Sequence, residues 1–136
     1  MTRTRTRIFA AGLSLIVLLA ALFVVPPAAG AEDADVWDGT VAAKFAGGKG
    51  TKDDPYIISN AAELAYFSES VKTNYYDGKY ISLTADIDLG GKEWAPIGGY
   101  YHCFKGTFDG DGHTVSNFTI NSPDTCIGLF GKTTEQ

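Results

Sequence analysis

Beyond residue 31 the chain has no arginine, and its eight lysines face 16 aspartates and glutamates, a net charge of about −8 against −5 for all 136 residues. A surface this acidic repels phosphate, which excludes a nucleic-acid partner. Cysteine is nearly missing, with Cys103 and Cys126 alone, and the histidines are His102 and His113. His102 next to Cys103 offers two metal ligands, but no third and fourth stand at zinc spacing, and Cys126 does not complete the set. No serine stands in a Gly-x-Ser-x-Gly context. The glycines at 47, 48 and 50 lack the spacing of a phosphate-binding loop, and no helix opens directly after them.

What is present begins with Arg3, Arg5 and Arg7 ahead of an apolar run over residues 8–25, then Pro26, Pro27 and Ala29-Gly30-Ala31. A basic start, an apolar centre and a small-x-small site make residues 1–31 a secretory signal of the Sec type. The run is 18 residues long, so an uncleaved membrane anchor is the competing reading, and the only membrane contact expected is through this segment. The prolines and the Ala-x-Ala-like site favour cleavage. No cysteine near it would take a lipid, and there is no twin arginine.

What remains is the size of one domain with a modest core. Export places Cys103 and Cys126 where a disulfide persists, and closing that loop would contribute roughly 3 kcal/mol on a chain-entropy account. Two free buried thiols are the other reading, and spacing alone does not decide.

Residues 32–55 read as an irregular glycine-rich lead-in whose aromatics, Trp37 and Phe45, pack on the first rung of a repeated β unit. Glycines, an Asp pair and Pro55 punctuate it before a short strand over 56–59. Asn60 then opens a helix as N-cap, with Glu63 in capping-box position. Ala61, Leu64, Phe67 and Val71 share one face of it, and residues 74–78 close it with turn chemistry. Beyond Lys79 short alternating segments take over. Ile81 and Leu83 point inward in one, Ile87 and Leu89 in the next with Asp86 and Asp88 opposite, and Phe108, Val115, Phe118 and Ile120 after that.

These segments repeat. Residues 106–108 lie on 128–130 at a spacing of 22, residues 81–83 lie 25 ahead of 106–108, and Ile87-x-Leu89 precedes Phe118-x-Ile120 by 31, the excess falling in the loop around residues 94–103. The spacing predicts a mainly β fold over residues 56–136, a short right-handed parallel β-helix of few rungs with the helix as its N-terminal cap. A small antiparallel β-sandwich uses the same short strands and is the alternative.

The runs GKGTKDDPYIISNAAELAYFSE, GKYISLTADIDLGGKEWAPIG and FKGTFDGDGHTVSNFTIN, closing on IGLFG, resemble the secreted bacterial surface proteins that carry GLUG-type repeats on a right-handed parallel β-helix. The resemblance covers about residues 36–131. It implies a cell-surface or secreted module of the kind found in adhesin-like proteins and in accessory regions of large exported enzymes, with a glycan or a host or cell-surface protein as partner. Such proteins run through many rungs, so the ending at Gln136 implies the N-terminal part of a longer protein, or a small one completed by edge-to-edge self-association.

Three groups of residues carry candidate chemistry. Asp109 and Asp111, two apart across a glycine turn, could hold calcium; the same pattern also serves a plain turn, with the carboxylates accepting turn amides. Asp86 and Asp88 together with Asp109 and Asp111 offer the paired carboxylates of a polysaccharide hydrolase or lyase. Outward solvated aspartates are the simpler reading, and no residue is assigned a catalytic role. Trp94, Tyr100 and Tyr101 could form a sugar-stacking platform, or pack in a small core. A non-catalytic exported surface module, with no required cofactor, is the expectation, and a β-helical carbohydrate-active enzyme or a piece of one is the alternative.

Overall fold

The computed structural model describes residues 35–123 and 125–134, so the secretory signal expected over 1–31 lies outside the described residues. Six short elements occur in order: β1 (Tyr56–Ile58), α1 (Ala61–Ser70), β2 (Tyr80–Leu83), β3 (Ile87–Asp88), β4 (Thr107–Asp109) and β5 (Val115–Ser116). Among the described residues no helix is long and apolar enough to cross a membrane.

The helix forms where its short-range signals place it. Asn60 is extended, and its side-chain oxygen accepts from the Glu63 amide at 3.0 Å. Glu63 reaches back one residue further than a strict capping box, accepting from the Ser59 amide at 2.7 Å and the Ser59 hydroxyl at 2.9 Å. Donors left open by the first turn are thereby satisfied. Ala61, Leu64, Phe67 and Val71 are all buried, so the apolar stripe faces the core as its spacing requires. Beyond the helix, Tyr76 sits at φ 55°, uncommon for a bulky residue, and is held there by an Asn74 side-chain bond to its amide and by its own buried ring.

The strands pair only in parallel. β2 lies between β1 and β4, with Ile81 opposite both Tyr56 and Phe108, and β3 pairs with β5 through Ile87 opposite Val115. Parallel neighbours need long connections, which α1 and the later loops supply. The lead-in runs alongside β1 through an antiparallel bridge from Gly47 to Ile57. Gly48 is required beside it, because it holds φ 86° and a Cβ there would lie 1.7 Å from the Pro55 carbonyl oxygen. Phe45 is in the core and Trp37 packs against it, though not on a rung of a coil, while Val36 and Val41 stay exposed.

The expected fold class is not what forms. The described strands are two to four residues long and fall into two separate sheets of three and two strands, neither curled nor closed, so the chain is not a parallel β-helix. The antiparallel sandwich fails as well, because every strand pair is parallel. The interior combines the buried face of α1 and a group of aromatic rings with the inward strand residues Ile58, Ile81, Leu83 and Ile87.

Register differs too. The repeat spacing puts residues 81–83 25 positions ahead of their partners, but Ile81 pairs with Phe108, 27 ahead. A slip of two keeps every side chain on its face, so alternation cannot separate the two registers. The spacing of 31 sets Ile87 opposite Phe118, and it pairs with Val115 instead. Val115 and Phe118 still both pack on the core because Asn117 between them sits at φ 55°, which resets the alternation.

Asp86 and Asp88 tie β3 to the ends of β5. Asp86 Oδ1 accepts from the Thr114 amide at 2.9 Å and lies 3.2 Å from His113 Nδ1, while Asp88 Oδ2 accepts from the Asn117 amide group at 2.9 Å. The Thr114 amide and, after it, the His113 ring favour the ionised carboxyl and lower the Asp86 pKa from its ordinary value of 3.8.

Two predictions rest on this packing. Phe67→Ala removes a fully buried ring that meets Phe45, Tyr76, Phe104 and Phe108, and should cost about 3–5 kcal/mol by urea unfolding, whereas Val41→Ala at an exposed site should stay within about 0.5 kcal/mol. A lowered folded-state pKa stabilises above the unfolded value and is lost as the pH falls through the folded one. The difference in unfolding midpoint between wild type and Asp86→Asn should therefore be constant above about pH 5 and shrink below 3.8; a difference that is flat across this range would contradict the tie.

Candidate binding site

One loop stands out from this frame. Ile97 and Phe104, seven positions apart, pair in parallel with Phe130 and Thr133, three positions apart. The surplus on the first segment has to leave the plane of pairing, and it emerges as residues 98–103. Both feet are buried, Ile97 fully and Phe104 nearly so. Backbone bonds fasten them on each side, from the Ile97 amide to Leu129 at 2.9 Å, from Gly131 to Ile97 at 3.0 Å and from the Phe104 amide to Lys132 at 3.2 Å. Gly98 makes the exit turn at φ 77°, where a Cβ would press on the Lys132 carbonyl at 2.8 Å.

The loop closes on itself a residue further out. The Gly99 amide donates to the His102 carbonyl at 3.1 Å and the His102 amide donates back to Gly99 at 3.3 Å. Tyr100 and Tyr101 are thus held at a tight tip, 68 % and 81 % exposed, with ring centroids 5.1 Å apart and planes at 80°. Lys132 Nζ lies 4.9 Å from the Tyr100 ring centroid, a cation–π contact that braces this tyrosine. His102 stacks on Tyr75 at 6.3 Å, and the Cys103 thiol donates to the Gly99 carbonyl at 3.7 Å.

An open groove of about 850 Å³ runs beside this tip. Tyr100, Tyr101, Trp94, Asn121, Lys72 and Glu93 are among the residues that line it. Its lining is tied to α1 by the Ser68 hydroxyl, which donates to the Ala95 carbonyl at 2.6 Å. Of the three aromatics that could stack on sugar or pack in the core, the two tyrosines are open. Trp94 is 2 % exposed, its indole N–H donates to the Leu129 carbonyl at 3.2 Å, and Trp37 packs edge-on against it at 6.0 Å, so it supports the groove and offers no free face. Lys72, Glu93 and Asn121 come from distant parts of the chain, and no local pattern announces them.

The other candidates have structural partners. Asp109 Oδ1 accepts from the Asp111 amide at 2.9 Å, and the His113 amide donates to Gly110 at 2.8 Å, so the Asp-Gly-Asp-Gly stretch is the turn between β4 and β5. Among the described residues no group of three or more His, Cys, Asp or Glu side chains gathers where it could hold a metal ion. Asp86 and Asp88 are engaged as described above. Cys103 and Cys126 are free thiols in this structure, both partly buried, and Cys126 lies on the groove.

No family model matches the chain, and no solved structure matches it. Over 94 residues it is 42 % identical to a protein of Evansella cellulosilytica named as a Gly-rich membrane protein, an alignment covering 64 % of this chain and 10 % of that one. Over 115 residues it is 35 % identical to halomucin of Haloquadratum walsbyi, covering 71 % of this chain and 1 % of that one. The chain thus spans a tenth or less of the length of these curated relatives, and its similarity to them is to one segment of much larger proteins.

Proposed function

We propose that the chain is an exported, surface- or membrane-associated module that acts by binding and not by catalysis. The observation that carries this reading is the Tyr100–Tyr101 tip, two large exposed aromatics on a loop clamped at both feet beside a groove. Exposed aromatics on a fixed scaffold are the kind of surface that partners recognise, and clamping reduces the ordering cost of binding. Two further features support the location: the basic and apolar segment over residues 1–31, and relatives named as a Gly-rich membrane protein and as halomucin. The resemblance to surface proteins with GLUG-type repeats points the same way and makes an adhesin-like role the finer form of this proposal.

Against the enzymatic alternative stands the bonding of its candidate acids, since Asp86, Asp88 and Asp109 each accept a backbone or side-chain hydrogen bond within the fold. The test is fractionation of a bacterial host expressing the full chain, combined with turnover assays on a panel of polysaccharides. The chain should appear in the envelope or the medium, accessible to added protease, and no polysaccharide should be cleaved. Turnover by the wild type that is abolished in the double variant Asp109→Asn, Asp111→Asn would overturn the proposal in favour of the enzyme.

A further inference from the structure

We propose that the groove beside Tyr100 and Tyr101 binds an uncharged oligosaccharide, with the Tyr101 ring as its stacking face and Glu93 and Asn121 as hydrogen-bonding partners. The inference rests on the reading of the chain as a binding module and names the class of its ligand. Tyrosines left 68 % and 81 % exposed at adjacent positions gain little from the fold, and their perpendicular arrangement at 5.1 Å keeps them from covering each other face to face. Lys132 occupies a face of Tyr100, which leaves Tyr101 the more open ring.

The remaining groove chemistry suits a sugar better than a purely apolar ligand. A pyranose offers a patch of C–H bonds on its face and hydroxyls around its rim, so it needs an aromatic face with acceptors and donors set to the side. Glu93 supplies a carboxylate acceptor and Asn121 both an acceptor and donors, and both line the same groove as the tyrosines. A volume of about 850 Å³ lies within the range of small-ligand sites, and the groove is open to solvent.

Charge decides which saccharide. Lys72, the lysine on the groove, contacts both carboxylate oxygens of Glu69 at 2.8 Å, and Lys132 rests on Tyr100, so the nearby cations already have anionic or aromatic partners. Glu93 adds negative charge, and the whole chain stands at −5, which repels a sulfated or uronate-rich polymer at a distance. An uncharged ligand meets neither obstacle.

The experiment is equilibrium binding of the full chain, in mild detergent, to neutral cello-, chito- and manno-oligosaccharides, to sulfated and uronate oligosaccharides, and to a proline- and tyrosine-rich peptide. At least one neutral oligosaccharide should bind, with an affinity changing less than about twofold between low and physiological salt. Tyr101→Ala should weaken it by about tenfold or more, and Tyr101→Phe, which keeps the ring, by no more than about threefold. Asp109→Asn, on the far turn, should bind as wild type does. The inference is overturned if no neutral member binds, if only the anionic sugars or the peptide bind, or if Tyr101→Ala matches wild type while circular dichroism shows it folded. A chain that stays at the cell surface without cleaving any sugar, yet binds no neutral one, would sink this inference alone; cleavage of the bound sugar would sink the binding-module reading as well.

Discussion

The ring of Phe67 is the contact on which the rest of the structure depends. It comes from the buried face of α1 and touches Phe45 of the lead-in, Tyr76 of the turn after the helix, Phe104 at the foot of the extruded loop and Phe108 of β4. Segments spread over some sixty residues of chain thus converge on one side chain. Sheets of two and three short strands have few backbone bonds of their own to set their position. Aromatic packing adds contacts between segments that the short strands do not supply.

How much of this could be read beforehand depended on the range of the interaction. Asn60, Glu63 and the stripe from Ala61 to Val71 act across three or four residues, so the helix and its buried face are legible in the sequence. Inward Ile81, Leu83, Ile87 and Leu89 are legible for the same reason, since alternation is a two-residue pattern. Pairing across 25 to 33 positions is not, because slips of two leave the pattern intact and Asn117 changes its phase without any apolar signal. The similar apolar triplets invited a closed coil. They specify only that each segment has an inner face, and that face turns to the shared core.

The candidate site divides along the same line. Tyr100 and Tyr101 are visible as aromatics after a Gly-Gly turn, and the sequence places them on a loop. Trp94 could not be told apart from them, because its burial depends on Leu129 and Trp37, distant in sequence. Lys72, Glu93 and Asn121 reach the groove through the fold alone. The acidic turn at Asp109 and Asp111, the most conspicuous feature of the sequence, is occupied with its own backbone.

The mismatch of register beneath residues 98–103 separates two tasks. Ile97 and Phe104 are fixed by their partners on the neighbouring segment and Gly98 by its exit turn, so only the stretch beyond Gly98 behaves as an exchangeable cassette. Doubling its length would add only about 0.6 kcal/mol of closure entropy. Evolution or an engineer can therefore rewrite the surface this loop presents without renegotiating how the domain folds.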